Sequence, residues 1–171
     1  KTVMKKVTGK GIVQGGSTLT QQTAKAVLSS AEGYKAANER KGVAGVRRKI
    51  REAILARNLE SQLTKEEILY LYLNNVYLGH HSYGVQAAAE NYYRKDVKDL
   101  TLAEMALIAG LPQAPSSYSP FRHPEAAKKR RSYVLRRMLE EGMISQAEHD
   151  IADKTEVSVH PVEDVFHEFA P

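Results

Sequence analysis

The chain has 171 residues, with 25 Lys plus Arg against 20 Asp plus Glu, so its formal net charge is +5. With 42% hydrophobic and 26% charged residues it falls outside the disordered class, and its length suits one domain. Zero cysteines exclude disulfide scaffolds, thiolate metal sites and cysteine nucleophiles, and no apolar run approaches the roughly 20 residues that cross a bilayer.

The opening Lys-Thr-Val-Met-Lys-Lys lacks the apolar region of a signal peptide. Gly15-Gly16-Ser17-Thr18-Leu19-Thr20-Gln21-Gln22 follows, with Ser17 placed to cap a helix through Thr18–Leu28. Paired glycines followed by hydroxyls and amides at a helix start suit an anion or a sugar, and Lys25 lies on the side of Gln21 and Gln22. An ordinary glycine turn with a serine cap is the competing reading; a P-loop is excluded because no Gly-Lys-Ser/Thr follows. Ser29–Gly45 lacks a sustained apolar stripe and reads as a mobile loop with at most one helical turn.

A helix is predicted from about Val46 to Leu63. Glu52, Ala56, Leu59 and Leu63 share one face of it, so a carboxylate opens an otherwise apolar stripe. Arg48 stands four residues before Glu52 and Lys49 three before. Burial and adjacent cations push a carboxyl pKa in opposite directions, a combination found at catalytic and anion-handling sites. A surface ion pair is the alternative.

Further on, Thr64-x-x-Glu67, Thr101-x-x-Glu104 and Ser145-x-x-Glu148 are capping boxes, each opening a helix. Ser82 is expected to cap a helix through Ala87–Ala89, and the tyrosines between Tyr70 and Tyr93 read as core. His80 and His81 are adjacent and share no helix face, so a metal-ligand role is not expected. Gly110–Pro120 holds a glycine and prolines that fix an irregular loop, expected to point Gln113 and Ser116 into a cleft. Pro124 opens a helix that Gly142 closes. Strand evidence is confined to the brief alternation at Val157–Val159. The expectation is a mostly α fold of about seven helices, with a domain over residues 1–155 and a tail or linker over 156–171.

Two cationic clusters stand out: Arg47, Arg48, Lys49 and Arg51, and Lys128–Arg131 followed by Arg136 and Arg137. Such patches suit phosphate, pyrophosphate, nucleic acid or an anionic membrane, unless they are simply solvated helix faces. With no Trp and three Phe, and with no helix-turn-helix or other reading motif, nucleic acid is not an expected partner.

Taken together, these motifs resemble glycosyltransferase family 51, the peptidoglycan polymerases. Residues 15–22 with Lys25 resemble the family's second motif. Arg48-Lys49-x-x-Glu52-x-x-x-Ala56-x-x-Leu59-Glu60 is similar to the third. Lys65-x-x-Ile68-Leu69-x-x-Tyr72-Leu73-Asn74 with Gly79 and Gly84 is similar to the fourth, and Gly110–Ser116 with Pro120, Arg130, Val134-Leu135 and Met138 to the fifth. The four run in family order from residue 15 to about residue 143.

The resemblance implies a lysozyme-like glycosyltransferase domain that polymerises lipid II into β-1,4 glycan strands on the outer face of the cytoplasmic membrane. The 4-hydroxyl of the incoming lipid II attacks, with inversion, and undecaprenyl pyrophosphate leaves. Glu52 is the implied catalytic residue, assisting that departure. Lys25, Arg48, Lys49 and Arg130 are implied phosphate binders. Ser17, Gln21 and Gln22 are implied to contact donor sugars, and Thr18, Gln113 and Ser116 to complete the substrate-binding set. A moenomycin-type inhibitor is an implied ligand. No tightly bound cofactor is implied, and a loosely held Mg²⁺ or other divalent cation at Glu52 is left open. Implied partners are lipid II, the growing glycan, the membrane surface and a transpeptidase domain, as in a bifunctional class A penicillin-binding protein whose membrane anchor lies outside this chain.

Some positions depart from the family pattern. The first motif, a Glu-Asp pair followed by Phe and His that carries the general base, does not precede residue 15, so the chain by itself is expected to be inactive. Glu163-Asp164-Val165-Phe166-His167 stands at the wrong end with the wrong spacing. Thr23 replaces an apolar residue and Ala26 an Asn, and a further donor-site Arg within residues 29–46 cannot be placed. A glycan-cleaving enzyme of lysozyme-like fold and a non-catalytic basic helical module are the alternative readings.

Overall fold

The structure, a computed structural model, describes residues 18–32 and 42–160. Among these are seven α-helices: α1 (Leu19–Glu32), α2 (Gly42–Gln62), α3 (Lys65–Asn75), α4 (Val85–Tyr93), α5 (Leu102–Gly110), α6 (Pro124–Glu140) and α7 (Gln146–Lys154). Short 3-10 turns cover Val97–Asp99 and Leu111–Gln113. The described residues hold no named strand; Tyr77 and Tyr83 form an isolated antiparallel bridge. The fold is therefore mostly α, as the periodicity predicts.

The helix starts follow from local chemistry. Thr64, Thr101 and Ser145 each accept a hydrogen bond from the backbone N–H of the glutamate three residues on, and that glutamate accepts one in return. Pro124 occupies the first turn of α6, where its missing N–H costs nothing. Beyond α6 the chain turns at Gly142, whose φ of +68° suits glycine.

Four local expectations need correction. Ser17 lies outside the described residues, and Thr18 caps α1: its Oγ1 accepts the Gln21 N–H at 3.2 Å, and the Gln21 Oε1 accepts the Thr18 N–H at 3.3 Å. The predicted loop Ser29–Gly45 is helical at both ends, since α1 runs to Glu32 and α2 begins at Gly42; residues 33–41 lie outside the described residues. Ser82 does not cap α4. Gly84 does, without a side-chain bond, while Ser82 is buried and accepts from the Asn91 amide at 2.9 Å. The tyrosines divide: Tyr92 and Tyr93 are core, whereas Tyr70, Tyr77 and Tyr83 are exposed.

Packing falls into two groups. α1 lies against α2 and α3, and α6 lies against α5 and α7. Most of the core belongs to the second group. Leu78, Ala88, Ala89, Tyr92, Tyr93, Leu100, Leu107, Ile108 and Leu111 form one buried cluster; Ala103, Ala106, Leu135 and Ala152 form another. Buried Arg131 ties down the end of α7, donating to the carbonyls of Thr155 at 2.9 Å and Asp153 at 2.8 Å. Val157 and Val159 then pack against the core, and the His160 N–H donates to the Tyr92 carbonyl at 2.9 Å. Residues 156–160, expected as the start of a tail, thus belong to the packed body; residues 161–171 lie outside the described residues.

Candidate active site

Glu52 sits on the inward face of α2 with Gly45 and Ala56, and only 1% of it is exposed. This settles the choice left by the sequence: the Arg48–Glu52 pair is not a solvated surface pair. Arg48 Nη1 donates to Glu52 Oε1, and Lys49 Nζ lies 2.8 Å from Oε2. The lysine approaches off the direction of a hydrogen bond, so Oε2 has no aligned donor among the described residues. A buried ion pair contributes little net stability because desolvation opposes the Coulomb attraction. What it provides is a carboxylate in fixed orientation between two cations. Leu59 and Leu63, further along the same predicted face, are half-buried.

α1 lies beside this carboxylate. Thr20, Thr23 and Ala24 are buried on it. Thr23, a departure from the family pattern, is accommodated in the packing because its hydroxyl donates to the Leu19 carbonyl at 3.1 Å. Thr18 and Gln22 are exposed at the start of α1, whereas Gln21 and Lys25 are half-buried. Glu52, Arg48, Lys49, Gln21, Gln22 and Lys25 therefore stand on two helices in mutual contact.

The remaining predicted residues belong to the second packing group. Gln113 and Ser116 are exposed in the segment after α5. Arg130 is held on α6. Its Nε donates to the Gly110 carbonyl at 3.1 Å, and its guanidinium carbon lies 5.5 Å from the Tyr118 ring centroid and 4.9 Å from that of Tyr133. Sequence reasoning missed both tyrosines. The three-residue step from Arg130 to Tyr133 was a readable signal; the approach of Tyr118 from a loop was not.

Near this segment the Gly79–Gly84 turn is locked to residues 119–121. His80 Nε2 lies 2.9 Å from Ser119 Oγ, and its ring meets Phe121 and Tyr92 edge-on. Burial, then the charges of Arg122 and His81, hold the His80 pKa below its usual value.

The residues present do not suit a divalent cation at Glu52. Both carboxylate oxygens face cations, and no group of three His, Cys, Asp or Glu among the described residues is placed to hold a metal.

Comparison with known proteins agrees with these motifs. The transglycosylase family model matches residues 1–139. Penicillin-binding protein 1A of Vibrio cholerae is 52% identical over 139 residues, which are 81% of this chain and 16% of that protein. The protein of the same name from Neisseria flavescens is 45% identical over 157 residues, 92% of this chain and 18% of that one. The crystal structure of penicillin-binding protein 1A from Haemophilus influenzae superposes with a TM-score of 0.55 at 36% identity, covering 84% of this chain and 17% of that one. The chain thus spans less than one fifth of the length of these relatives.

Proposed function

The chain belongs to the transglycosylase family, and from that premise we propose that it is the peptidoglycan glycosyltransferase domain of a longer, penicillin-binding-protein-like enzyme. Its substrate is lipid II, and its reaction is polymerisation into β-1,4 glycan strands with inversion and release of undecaprenyl pyrophosphate. The observation that carries this reading is the buried Glu52 carboxylate set between Arg48 and Lys49, on a helix packed against the one bearing Lys25.

The chemistry follows from the arrangement. As the acceptor hydroxyl attacks the donor sugar, negative charge builds on the departing pyrophosphate. Lys25, Arg48 and Lys49 neutralise that charge where it develops, which lowers the barrier. Glu52 orients these cations and assists departure. Inversion needs a base on the opposite face of the sugar to accept the attacking hydroxyl's proton. Ser17, Thr18, Gln21 and Gln22 contact donor sugars, while Gln113, Ser116 and Arg130 serve from the second packing group.

A membrane surface is the expected setting, and α2 supports it. Val43, Val46, Ile50 and Ile54 recur at three- and four-residue steps on the face opposite Glu52, and each is more than half exposed. Arg47, Arg51 and Arg57 accompany this stripe. An apolar stripe with a basic border suits the headgroup region of an anionic bilayer, where a carrier lipid presents its pyrophosphate. No helix of the described residues is long and apolar enough to cross a membrane. The transpeptidase domain belongs to the longer parent.

The test is calorimetric titration with a moenomycin-type phosphoglycolipid, comparing wild type with Lys25→Ala. Specific binding that the variant loses is the expected result. Equal binding by both would overturn the donor-site assignment. Release of soluble muropeptides from purified sacculi would replace polymerisation with glycan cleavage.

A further inference from the structure

Arg130 is held more firmly than an exposed phosphate-binding arginine needs to be. Its stem passes over Gly110 so closely that a Cβ there would stand 2.8 Å from Arg130 Cγ. Its Nε is occupied by the Gly110 carbonyl. Its guanidinium lies within cation–π range of Tyr118 and Tyr133. Tyr118 is in turn fixed by a turn in which its N–H donates to the Ala114 carbonyl at 3.0 Å, and its ring packs against the main core cluster. Among the described residues the two terminal nitrogens, Nη1 and Nη2, take no hydrogen bond or ion pair. The group is thus constrained at its stem, at Nε and by aromatic rings, while its two-pronged end is left for a ligand.

We propose that Tyr118 and Tyr133 are positioning residues that, with the Gly110 carbonyl, hold Arg130 as a preset two-pronged clamp for a pyrophosphate oxygen. The proposal rests on the reading above that Arg130 serves the pyrophosphate, and it adds what makes that arginine effective. A free arginine side chain loses considerable rotamer entropy when it binds an anion. Here that ordering accompanies folding, so binding keeps more of the interaction energy. Parallel N–H···O bonds also require the guanidinium plane to be correctly turned, a demand that a lysine ammonium cannot meet. Arg136 touches the same Tyr133 ring at 5.5 Å, but it also lies 3.8 Å from Glu140. It therefore serves as the control cation.

The experiment titrates inorganic pyrophosphate into the wild-type chain and variants, following the arginine Nε–H resonances by NMR. Tyr133→Leu and Tyr118→Leu are expected to weaken binding about tenfold, equivalent to about 1.4 kcal/mol, and to broaden or shift the Arg130 Nε–H signal. Tyr133→Phe and Tyr118→Phe keep the ring face and are expected to restore wild-type affinity; a role for the hydroxyls would not give this rescue. Arg130→Lys is expected to weaken binding like the leucine variants, and Arg136→Ala to leave it unchanged. Tyr133 is 43% exposed, so its replacement tests the clamp even if Tyr118→Leu fails to fold. Wild-type affinity in Tyr133→Leu, with loss in Arg130→Ala, would overturn the positioning role while leaving Arg130 a phosphate ligand. Unchanged binding in Arg130→Ala would overturn both the clamp and the assignment of Arg130. Neither result touches the donor-site assignment, which moenomycin binding and Lys25→Ala test separately.

Discussion

At the scale of single residues, Glu52 carries the most consequence. Glu52→Gln removes a charge from a buried site while keeping an oxygen that can accept from Arg48. The expected cost is about 1–3 kcal/mol, because the cations lose their counter-charge and not their hydrogen bond. Glu52→Ala also removes the acceptor and is expected to cost about 3–5 kcal/mol. Urea unfolding midpoints at pH 7 check both values. In the intact parent enzyme, glycan polymerisation is expected to fall close to background in Glu52→Gln; retention of most turnover would remove Glu52 from the mechanism. A second residue-scale prediction concerns Glu104. Burial raises its pKa, but hydrogen bonds from Lys95 and Thr101 and the Lys95 charge outweigh burial, so the net direction is downward from an ordinary value of 4.5. A carboxyl with a lowered folded pKa contributes stability above its unfolded pKa and loses it as pH falls through the folded one. Glu104→Gln is therefore expected to be less stable than wild type at pH 7. The gap should close as pH drops below about 4.5, which thermal melts at pH 7 and pH 3 would show.

At the scale of elements, legibility followed the range of the interaction. The three capping boxes were readable because each is closed by residues three apart, and all three are present. Glu52 was readable because its spacing to Ala56 places both on one face of a helix. The extent of α1 and α2 was not, because Ser29–Glu32 and Gly42–Gly45 carry no sustained apolar stripe from which a helix could be read. Ser82 was misplaced for a related reason. Its hydroxyl bonds Asn91, nine residues on, a contact outside the range of local capping rules. The Gly79–Gly84 turn shows why glycine is needed at its end. Gly84 has φ +84°, and a Cβ there would lie 2.5 Å from the Asn74 carbonyl oxygen. Gly84→Ala combines backbone strain with a clash against main chain that cannot swing aside. It is expected to cost about 3 kcal/mol or more, whereas Gly142→Ala meets no atom within 4 Å and carries the backbone term alone. Comparing the two melting temperatures separates strain from clash.

At the scale of the whole molecule, the question is why so much apolar surface faces outward on one helix while the core lies mainly among others. The buried clusters draw on α4–α7, whereas α2 turns Val43, Val46, Ile50 and Ile54 outward. If that stripe were packing surface, shortening it would destabilise the fold; if it meets lipid, the fold would be indifferent and membrane affinity would fall. The double variant Ile50→Ser, Ile54→Ser separates these cases. Both side chains are more than half exposed, so their removal is expected to change stability by less than about 0.5 kcal/mol. Binding to vesicles containing anionic phospholipid is expected to weaken by about 2 kcal/mol or more, since each large aliphatic side chain taken from water into an apolar phase contributes roughly 1.5–3 kcal/mol. Replacing Arg47 and Arg57 with Gln should weaken the same binding chiefly at low salt, because screening already removes most of the charge attraction at high salt. Leu135→Ala supplies the contrast. That side chain is fully buried, and its loss is expected to cost about 2–5 kcal/mol without altering the intrinsic vesicle affinity of the folded protein. Loss of stability without loss of vesicle binding in the Ile50 and Ile54 variant would make the stripe a packing surface and remove α2 from the membrane interface.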